Sequence, residues 1–335
     1  MRQPVYLGLR MDKRVEEVNI EKTGSKGKFG KEAPKSTDNE EELVINKKKV
    51  TVKNLGKVFW PAEGYTKGNL VEYYREISHL ILPYLKDRPQ SLLRYPDGIT
   101  GESFYHKDID FAPDWVKTIE IKSEEKKVNY LLCQDEATLI YMINLGCIDL
   151  NPWNSRIGTL DKPDYLIMDL DPEQIGFDKV VETALAFKEV LEEAGIEGYP
   201  KTSGAKGIHI YIPLGARYDY DQVRQFSQIL ADRVNVKLPK ITSTVRSPKE
   251  RKGRVYLDCL QNARGQTLAS VYSVRAKPMA TVSTPLEWNE LDKKLTPQMF
   301  TIKNILDRLK KKGDLFKNVL GRGVDMQKAL RKLEG

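Results

Sequence analysis

An α/β or α+β catalytic domain is what this sequence predicts, and three segments in the middle of the chain predict it. DYLIMDLDP reads as an apolar strand that stops at Pro172, VVETALAFKEVLEEAG as an amphipathic helix closed by Gly195, and GIHIYIPL as a strand of period two. The 335 residues suffice for one large domain or two closely joined ones, and a hydrophobic content of 40% supplies a core. Cys133, Cys147 and Cys259 lie far apart with no CxxC or CxxH spacing. That argues against a zinc site and a disulfide framework, and for a reducing compartment. The N-terminus carries no secretory apolar stretch and no 18-residue apolar run occurs, so neither export nor a membrane span is expected. A net charge of +8 admits a polyanionic partner without requiring one.

Residues 21–42, EKTGSKGKFGKEAPKSTDNEEE, hold almost nothing apolar to offset the entropy of ordering them and read as a linker. From Leu43, LVINKKKVTVKNL is rich in β-branched residues and predicts a strand, with Trp60 held extended before Pro61. Leu70, Tyr73, Tyr74, Ile77, Leu80 and Ile81 then recur at helical spacing behind Thr66 as N-cap. SLLRYPDG reads as a strand into a turn, and EATLIYMINLGCIDLNPW as a helix ending at Gly146 with an extended segment after it. Beyond the central strands, DQVRQFSQILADRVNVKLP predicts a helix, GRVYLDCLQN a strand, and TIKNILDRLKKKGDLFKNVL a late helix breaking at Gly313. Residues 323–335 read as a frayed basic tail, in a C-terminal segment (301–335) with ten basic and four acidic residues.

Four groups could carry chemistry. Asp169 and Asp171 end the strand YLIMDLDP two residues apart, so they face the same way with their Cα atoms about 7 Å apart. Carboxylates held that close repel one another unless a divalent cation such as Mg²⁺ or Mn²⁺ joins them. Asp258 is an acid inside the apolar strand GRVYLDCLQN, a place that calls for a salt bridge or a metal. The three acids together are what a two-metal phosphoryl-transfer site needs. Third, the loop KTSGAKGIHIYIP offers Ser203, Lys206 and backbone N–H groups to an anion, with His209 three residues on, although its spacing is not that of a P-loop. Arg275, Arg246 and Arg251 are further cations for a triphosphate. Fourth, Phe104 and Tyr105 are adjacent aromatics beside Lys107, a combination able to stack on nucleobases for roughly 1–3 kcal/mol each.

As an ordered set, DLD, SGAKGIHIY and YLDCLQN closely resemble the three motifs of the archaeo-eukaryotic primase-polymerases, and most closely those of the polymerase domain of bacterial ligase D, which acts in non-homologous end joining. VFWPAEGYTKGNLVEYY, LLRYP, FYHK, SVRAKP and KKGDLF agree as well, so the resemblance covers about residues 43–320. It implies an α+β primase-polymerase fold over residues 43–322, with a central mixed or antiparallel catalytic sheet flanked by helices and a packed N-terminal α/β module. It also implies a template-directed DNA or RNA polymerase, a nucleotidyltransferase of the EC 2.7.7 type that fills gaps and extends primer ends in double-strand-break repair. The alternative from another class is a non-catalytic module that binds or bridges DNA ends.

By resemblance, Asp169, Asp171 and Asp258 are the metal-binding catalytic acids, served by Mg²⁺ or Mn²⁺ and not by zinc. Ser203, Lys206, His209, Gln261 and Arg275 match positions around the incoming nucleotide, while Phe104, Tyr105, Lys107 and Arg251 match DNA contacts. Asn151 is a departure: many relatives carry His before Pro-Trp, and Asn can donate a hydrogen bond there but cannot carry charge. The implied partners are DNA with ends, gaps or overhangs, NTP or dNTP substrates, a DNA ligase fused or separate, and Ku. The implied location is the cytoplasm, at the nucleoid. PVYLGLRMDKRVEEV resembles the closing segment of the ligase domain of ligase D, making residues 1–20 a remnant of that domain.

Overall fold

The computed structural model describes residues 40–122 and 127–334. The ligase-like segment 1–20, and the linker 21–42 up to residue 39, lie outside the described residues. Glu40–Glu42, placed in the linker by composition, instead begin a strand, β1 (Glu40–Ile45), paired antiparallel with β2 (Lys48–Lys53). The acids that looked like linker face lysines across the ladder: Glu40 bridges to Lys53, and Glu42 to Lys49 at 2.9 Å. One β-rich stretch thus became a hairpin, because Asn46 and Lys47 take φ of 50° and 65°, the backbone of a tight primed turn.

The N-terminal module continues through β3 (Val58–Trp60), β4 (Tyr65–Thr66), α1 (Lys67–Glu76) and α2 (Ser78–Leu85). Thr66 caps α1 as expected, its hydroxyl accepting from the Asn69 N–H in a reciprocal capping box. The single helix predicted here is two, broken at Ile77 where ψ swings to 4°. Then come β5 (Gln90–Arg94), β6 (Phe104–His106), β7 (Lys117–Lys122), β8 (Lys127–Leu132), α3 (Glu136–Asn144) and β9 (Cys147–Pro152). Strands β6, β5 and β9 make a small sheet in that order.

The central sheet follows: β10 (Tyr165–Glu173), α4 (Phe177–Ala194), β11 (Tyr199–Thr202), β12 (Ile208–Pro213), α5 (Tyr220–Lys237), β13 (Thr242–Ser243) and β14 (Arg254–Asp258). Its five strands lie in the order β11-β12-β10-β14-β13, antiparallel except for the parallel β13–β14 edge, so the fold is α+β on a mixed sheet. The two faces separate cleanly by residue parity. Leu166, Met168 and Leu170 of β10, Ile208, Ile210 and Ile212 of β12, and Val255 and Leu257 of β14 are buried against Val180, Phe187, Val223, Phe226 and Leu230 of α4 and α5. The alternate residues face the N-terminal module, where Tyr165, Ile167 and Tyr211 join its core. Strand β10 runs through Pro172 to Glu173, one residue beyond the predicted stop. Proline is tolerated there because β12 stops pairing at Leu170, leaving only β14 alongside.

The chain closes with α6 (Ile305–Lys312), ended by Gly313 at φ 66°, and α7 (Met326–Glu334). The predicted frayed tail is therefore a docked helix. Met326, Ala329 and Leu333 recur on one face and are buried with the α4 core, while its lysines and arginines stay outside. Among the described residues no helix is long and apolar enough to cross a membrane. Leu333→Ala should cost about 2–3 kcal/mol of stability, as for a core leucine, shifting the urea midpoint downward. A midpoint equal to wild type would return α7 to the status of a tail.

Candidate active site

Backbone register gathers the central site. Lys201 of β11 pairs with His209 of β12, His209 with Asp169 of β10, and Asp169 with Asp258 of β14. Directly paired residues share a face, so Lys201, His209, Asp169 and Asp258 form one row across four strands. Asp171 stands two residues further along β10 on that same face, opposite Tyr256. The row lies on the side of the sheet away from α4 and α5, where Asp169 keeps 15% of its side-chain surface exposed.

Electrostatics follow from this crowding. Burial pushes the Asp169 carboxyl up, Asp171 and Asp258 add to it, and Lys201 and Arg275 oppose it, leaving it at about 7. Asp171 is also raised, by burial first, against the pull of the Arg251 guanidinium. Burial drives the Lys201 ammonium and the His209 imidazole well below their ordinary values, so His209 is a neutral ring. Its Nε2 approaches Asp169 Oδ1 at 3.4 Å. Asp258 is held from both sides: its Oδ1 accepts from the Leu260 N–H at 2.8 Å and its Oδ2 from the Gln261 amide at 3.1 Å. Gln261 thus orients an acid.

The loop after β11 reaches the same place. Ser203 Oγ accepts from the N–H groups of Ala205 and Gly207, both at 3.0 Å, which curls the loop and leaves the hydroxyl proton to donate elsewhere. A Cβ at Gly207 would sit 2.3 Å from the Leu170 carbonyl, so only glycine lets the loop lie this close to β10. Lys206 is exposed at its tip. Arg275 donates to the Ser203 carbonyl through Nη1 and to Asp149 Oδ2 through Nε at 3.0 Å. Asp149 is buried in β9 and also accepts from the Ala276 N–H at 2.8 Å. Asn151, two residues along β9 on the same face, is buried and donates to the Asp149 carbonyl at 3.0 Å.

The aromatic pair lies on the edge of the small sheet. Tyr105 pairs with Leu93, which pairs with Asp149, so the tyrosine shares the face that carries Asp149. Phe104 faces the other way under the Arg94 guanidinium, 5.2 Å from the ring centre. Both rings stay exposed, 46% and 61%, where core packing would have buried at least one. Lys107 sits 5.8 Å from the Tyr105 ring centre. Arg251 is stacked on Tyr256 at 3.8 Å, nearly buried, and its Nε and Nη1 have no hydrogen-bond partner among the described residues. The other arginine read from the sequence, Arg246, is exposed.

The register and the Arg275 bridge bring together Asp169, Asp171, Asp258, His209, Ser203, Gln261, Arg275 and Asn151. Two members escaped sequence reasoning, Asp149 and Lys201. Asp149 carries the signal that singled out Asp258, an acid within an apolar strand, and CIDLNP could have been read the same way. Lys201 had no such signal, since nothing local says that a lysine beside Pro200 is fully buried.

Three carboxylates without a thiolate suit a hard divalent cation. Among the described residues no group of three or more His, Cys, Asp or Glu closes into a metal cage. An open edge of carboxylates is what Mg²⁺ needs where substrate phosphates and water complete its shell, so the donor set fits.

Comparison with known proteins agrees with the motif reading. A family model described as LigD, primase-polymerase domain, matches residues 66–316. The bifunctional non-homologous end joining protein LigD of Bacillus subtilis is 36% identical over 277 residues, 81% of this chain and 44% of that protein. The multifunctional LigD of Pseudomonas aeruginosa is 28% identical over 323 residues, 92% of this chain and 37% of that protein. The chain therefore spans less than half the length of these relatives. The polymerase domain from Mycobacterium tuberculosis ligase D, solved in complex with DNA, superposes with a TM-score of 0.75 at 25% identity, covering 82% of this chain and 99% of that one.

The raised Asp169 carboxyl makes a pH prediction for the metal-free protein. Its folded value, about 7, exceeds the ordinary 3.8, so the folded state binds the proton more tightly and stability falls as pH rises from 4 through 7. Asp169→Asn should raise the metal-free Tm by on the order of 5 °C above pH 7 and by almost nothing near pH 4. Calorimetry showing equal Tm values across that range would contradict the repulsion described here.

Proposed function

This chain belongs to the LigD primase-polymerase domain family, and on that premise we propose that it is a template-directed nucleotidyltransferase that extends primer ends and fills gaps during repair of DNA double-strand breaks. The observation that carries the reading is the cross-strand row that sets Asp169 and Asp258 side by side, with Asp171 beyond them. Divalent cations held by these three acids, Mg²⁺ or Mn²⁺, would supply the Lewis acidity that activates a primer 3′-hydroxyl and neutralises the departing pyrophosphate.

The chain's own residues do the positioning. Ser203 offers its hydroxyl proton, Lys206 its ammonium and His209 its ring N–H to the triphosphate, which the attacking hydroxyl meets in line. Arg275 adds positive charge and, tied to Asp149 and the Ser203 carbonyl, cannot swing away. Gln261 holds Asp258 facing the site. Asn151 replaces a charged donor with a neutral one, which weakens the hold on phosphate. Tyr105 and Phe104 give nucleobases exposed π-faces, Lys107 sits beside them for the backbone, and Arg251 presents guanidinium nitrogens, unpartnered among the described residues, next to Asp171. In the cell the chain acts at the nucleoid on gapped or overhanging ends, with NTP or dNTP, beside a DNA ligase and Ku. Within the chain, the polymerase domain expected over residues 43–322 also takes in β1 from Glu40 and α7 to Glu334.

The test is extension of a gapped or overhanging DNA by the purified chain with each nucleotide type and each metal. Asp169→Ala or Asp258→Ala should lower extension by on the order of 1,000-fold or more while primer-template affinity changes little. Wild-type binding without extension would make the chain an end-bridging module instead. Tyr105→Ala should weaken primer-template binding roughly tenfold, as loss of one stacked base does, and an unchanged Kd by fluorescence anisotropy would remove it from the DNA surface.

A further inference from the structure

Asp149 is an acid where charge alone argues against one. It is buried in β9, outside the acidic row, beside a site proposed to hold a triphosphate, and a negative charge there repels phosphate. Its contacts show what it does instead. Oδ2 accepts from Arg275 Nε at 3.0 Å and Oδ1 from the Ala276 N–H at 2.8 Å, so donors from two adjacent residues meet two different oxygens. Arginine carries donors only, so its contacts run in one direction. Beyond Asp149, the guanidinium donates through Nη1 to the Ser203 carbonyl. The loop itself lies on the arginine: a Cβ at Gly204, whose φ is 69°, would stand 2.7 Å from Arg275 Cγ. The Thr281 hydroxyl donates to the Gly204 carbonyl, and the Arg275 N–H donates to the Thr281 carbonyl at 2.8 Å. A carboxylate on the small sheet, an arginine and the loop over the central sheet thus form one run of contacts.

We propose that Asp149 is a positioning residue: it fixes the Arg275 guanidinium, and through it loop 203–207, so that nucleotide phosphates meet a cradle already assembled. For the nucleotide this rests on the polymerase reading; the lock between Asp149 and Arg275 stands apart from it. The gain is entropic, because a free arginine loses rotamer freedom when a ligand immobilises it and one already held does not. A carboxylate is needed because both of its oxygens accept. An asparagine of the same shape has one acceptor oxygen, and turns its NH₂ toward either Arg275 or Ala276.

The first measurement needs no activity. In ¹⁵N NMR of the whole chain, the arginine Nε–H signal lost in Arg275→Lys belongs to Arg275. In the wild type it should exchange with water about tenfold or more slower than a free arginine does, and Asp149→Asn should remove that protection. An Arg275 Nε–H that exchanges as fast as free arginine overturns the lock, whether or not the chain extends primers. In primer extension, Asp149→Asn should raise nucleotide KM about tenfold, the lower end of losing a hydrogen bond to a charged group, with kcat within about threefold. The sign separates two roles: a carboxylate acting by charge alone would repel the nucleotide, and its removal would lower KM. An unchanged or lowered KM therefore overturns the positioning role. A merely structural residue would reduce the folded fraction, and with it the apparent kcat, and leave KM in place. In an Arg275→Met background, adding Asp149→Asn should change KM by less than about twofold, and additive effects would show that Asp149 does not act through Arg275. If Asp149→Asn fails to fold, the wild-type exchange rate still decides the lock. A wild-type chain that extends no primer would defeat the polymerase reading and leave that rate as the deciding result.

Discussion

Antiparallel register across β11, β12, β10 and β14 is the constraint on which the site depends. It aligns Lys201, His209, Asp169 and Asp258 in one row, and it does so because the opposite face of the same strands is an unbroken apolar surface packed on α4 and α5. A slip of one residue in any strand would exchange the faces. Leu170, Ile208 or Leu257 would replace the acids and histidine in the row, and an aspartate or histidine would enter the helix-packed core. The hydrophobic effect thus sets the geometry of the acidic row indirectly, by making the alternative registers too costly to populate.

The same arrangement explains why the site is poised. Placing carboxylates in adjacent rows and then burying them leaves a concentration of negative potential that cations relieve, and the protein supplies some of that relief itself. Lys201 and Arg275 lower what Asp171 and Asp258 raise at Asp169. The residual repulsion among the carboxylates is electrostatic strain of the kind that a divalent cation relieves. Neither side chain is free to collapse onto the acidic row: Arg275 is tied to Asp149, and Lys201 to the Ala269 carbonyl, Ser283 Oγ and His209 Nδ1.

Residues 269–276 join two sheets into one continuous surface. On the side of the small sheet, the Ser270 N–H donates to the Leu150 carbonyl, the Ser273 hydroxyl accepts from the Leu150 N–H, and Asp149 holds Arg275 and the Ala276 N–H. Toward the central sheet, Ala269 accepts from Lys201 and Arg275 reaches the Ser203 carbonyl. Tyr73 and Tyr74 of α1 pin the same segment through the Tyr272 carbonyl and the Val274 N–H. Tyr105, Asn151 and Asp149 therefore share a surface with the acidic row although their strands belong to a different sheet.

Local patterns were legible from the residues alone. The period-two strands, the cap at Thr66, the stops at Gly195 and Gly313 and the acids at strand ends all follow from interactions within a few residues, so sequence spacing reports them faithfully. Composition misled where the partner was distant. Glu40–Glu42 looked like linker until lysines across a hairpin paired with them, and residues 323–335 looked like a tail until α4 covered Met326, Ala329 and Leu333. The motifs DLD, SGAKGIHIY and YLDCLQN could be picked out because each carries its acids, hydroxyl or histidine in its own residues, and strand register brings them together. Lys201 and Asp149 carry theirs in what lies across the sheet or across the Arg275 bridge. Strand register and long-range pairing are settled by the burial of a whole face at once, and no window of neighbouring residues contains that information.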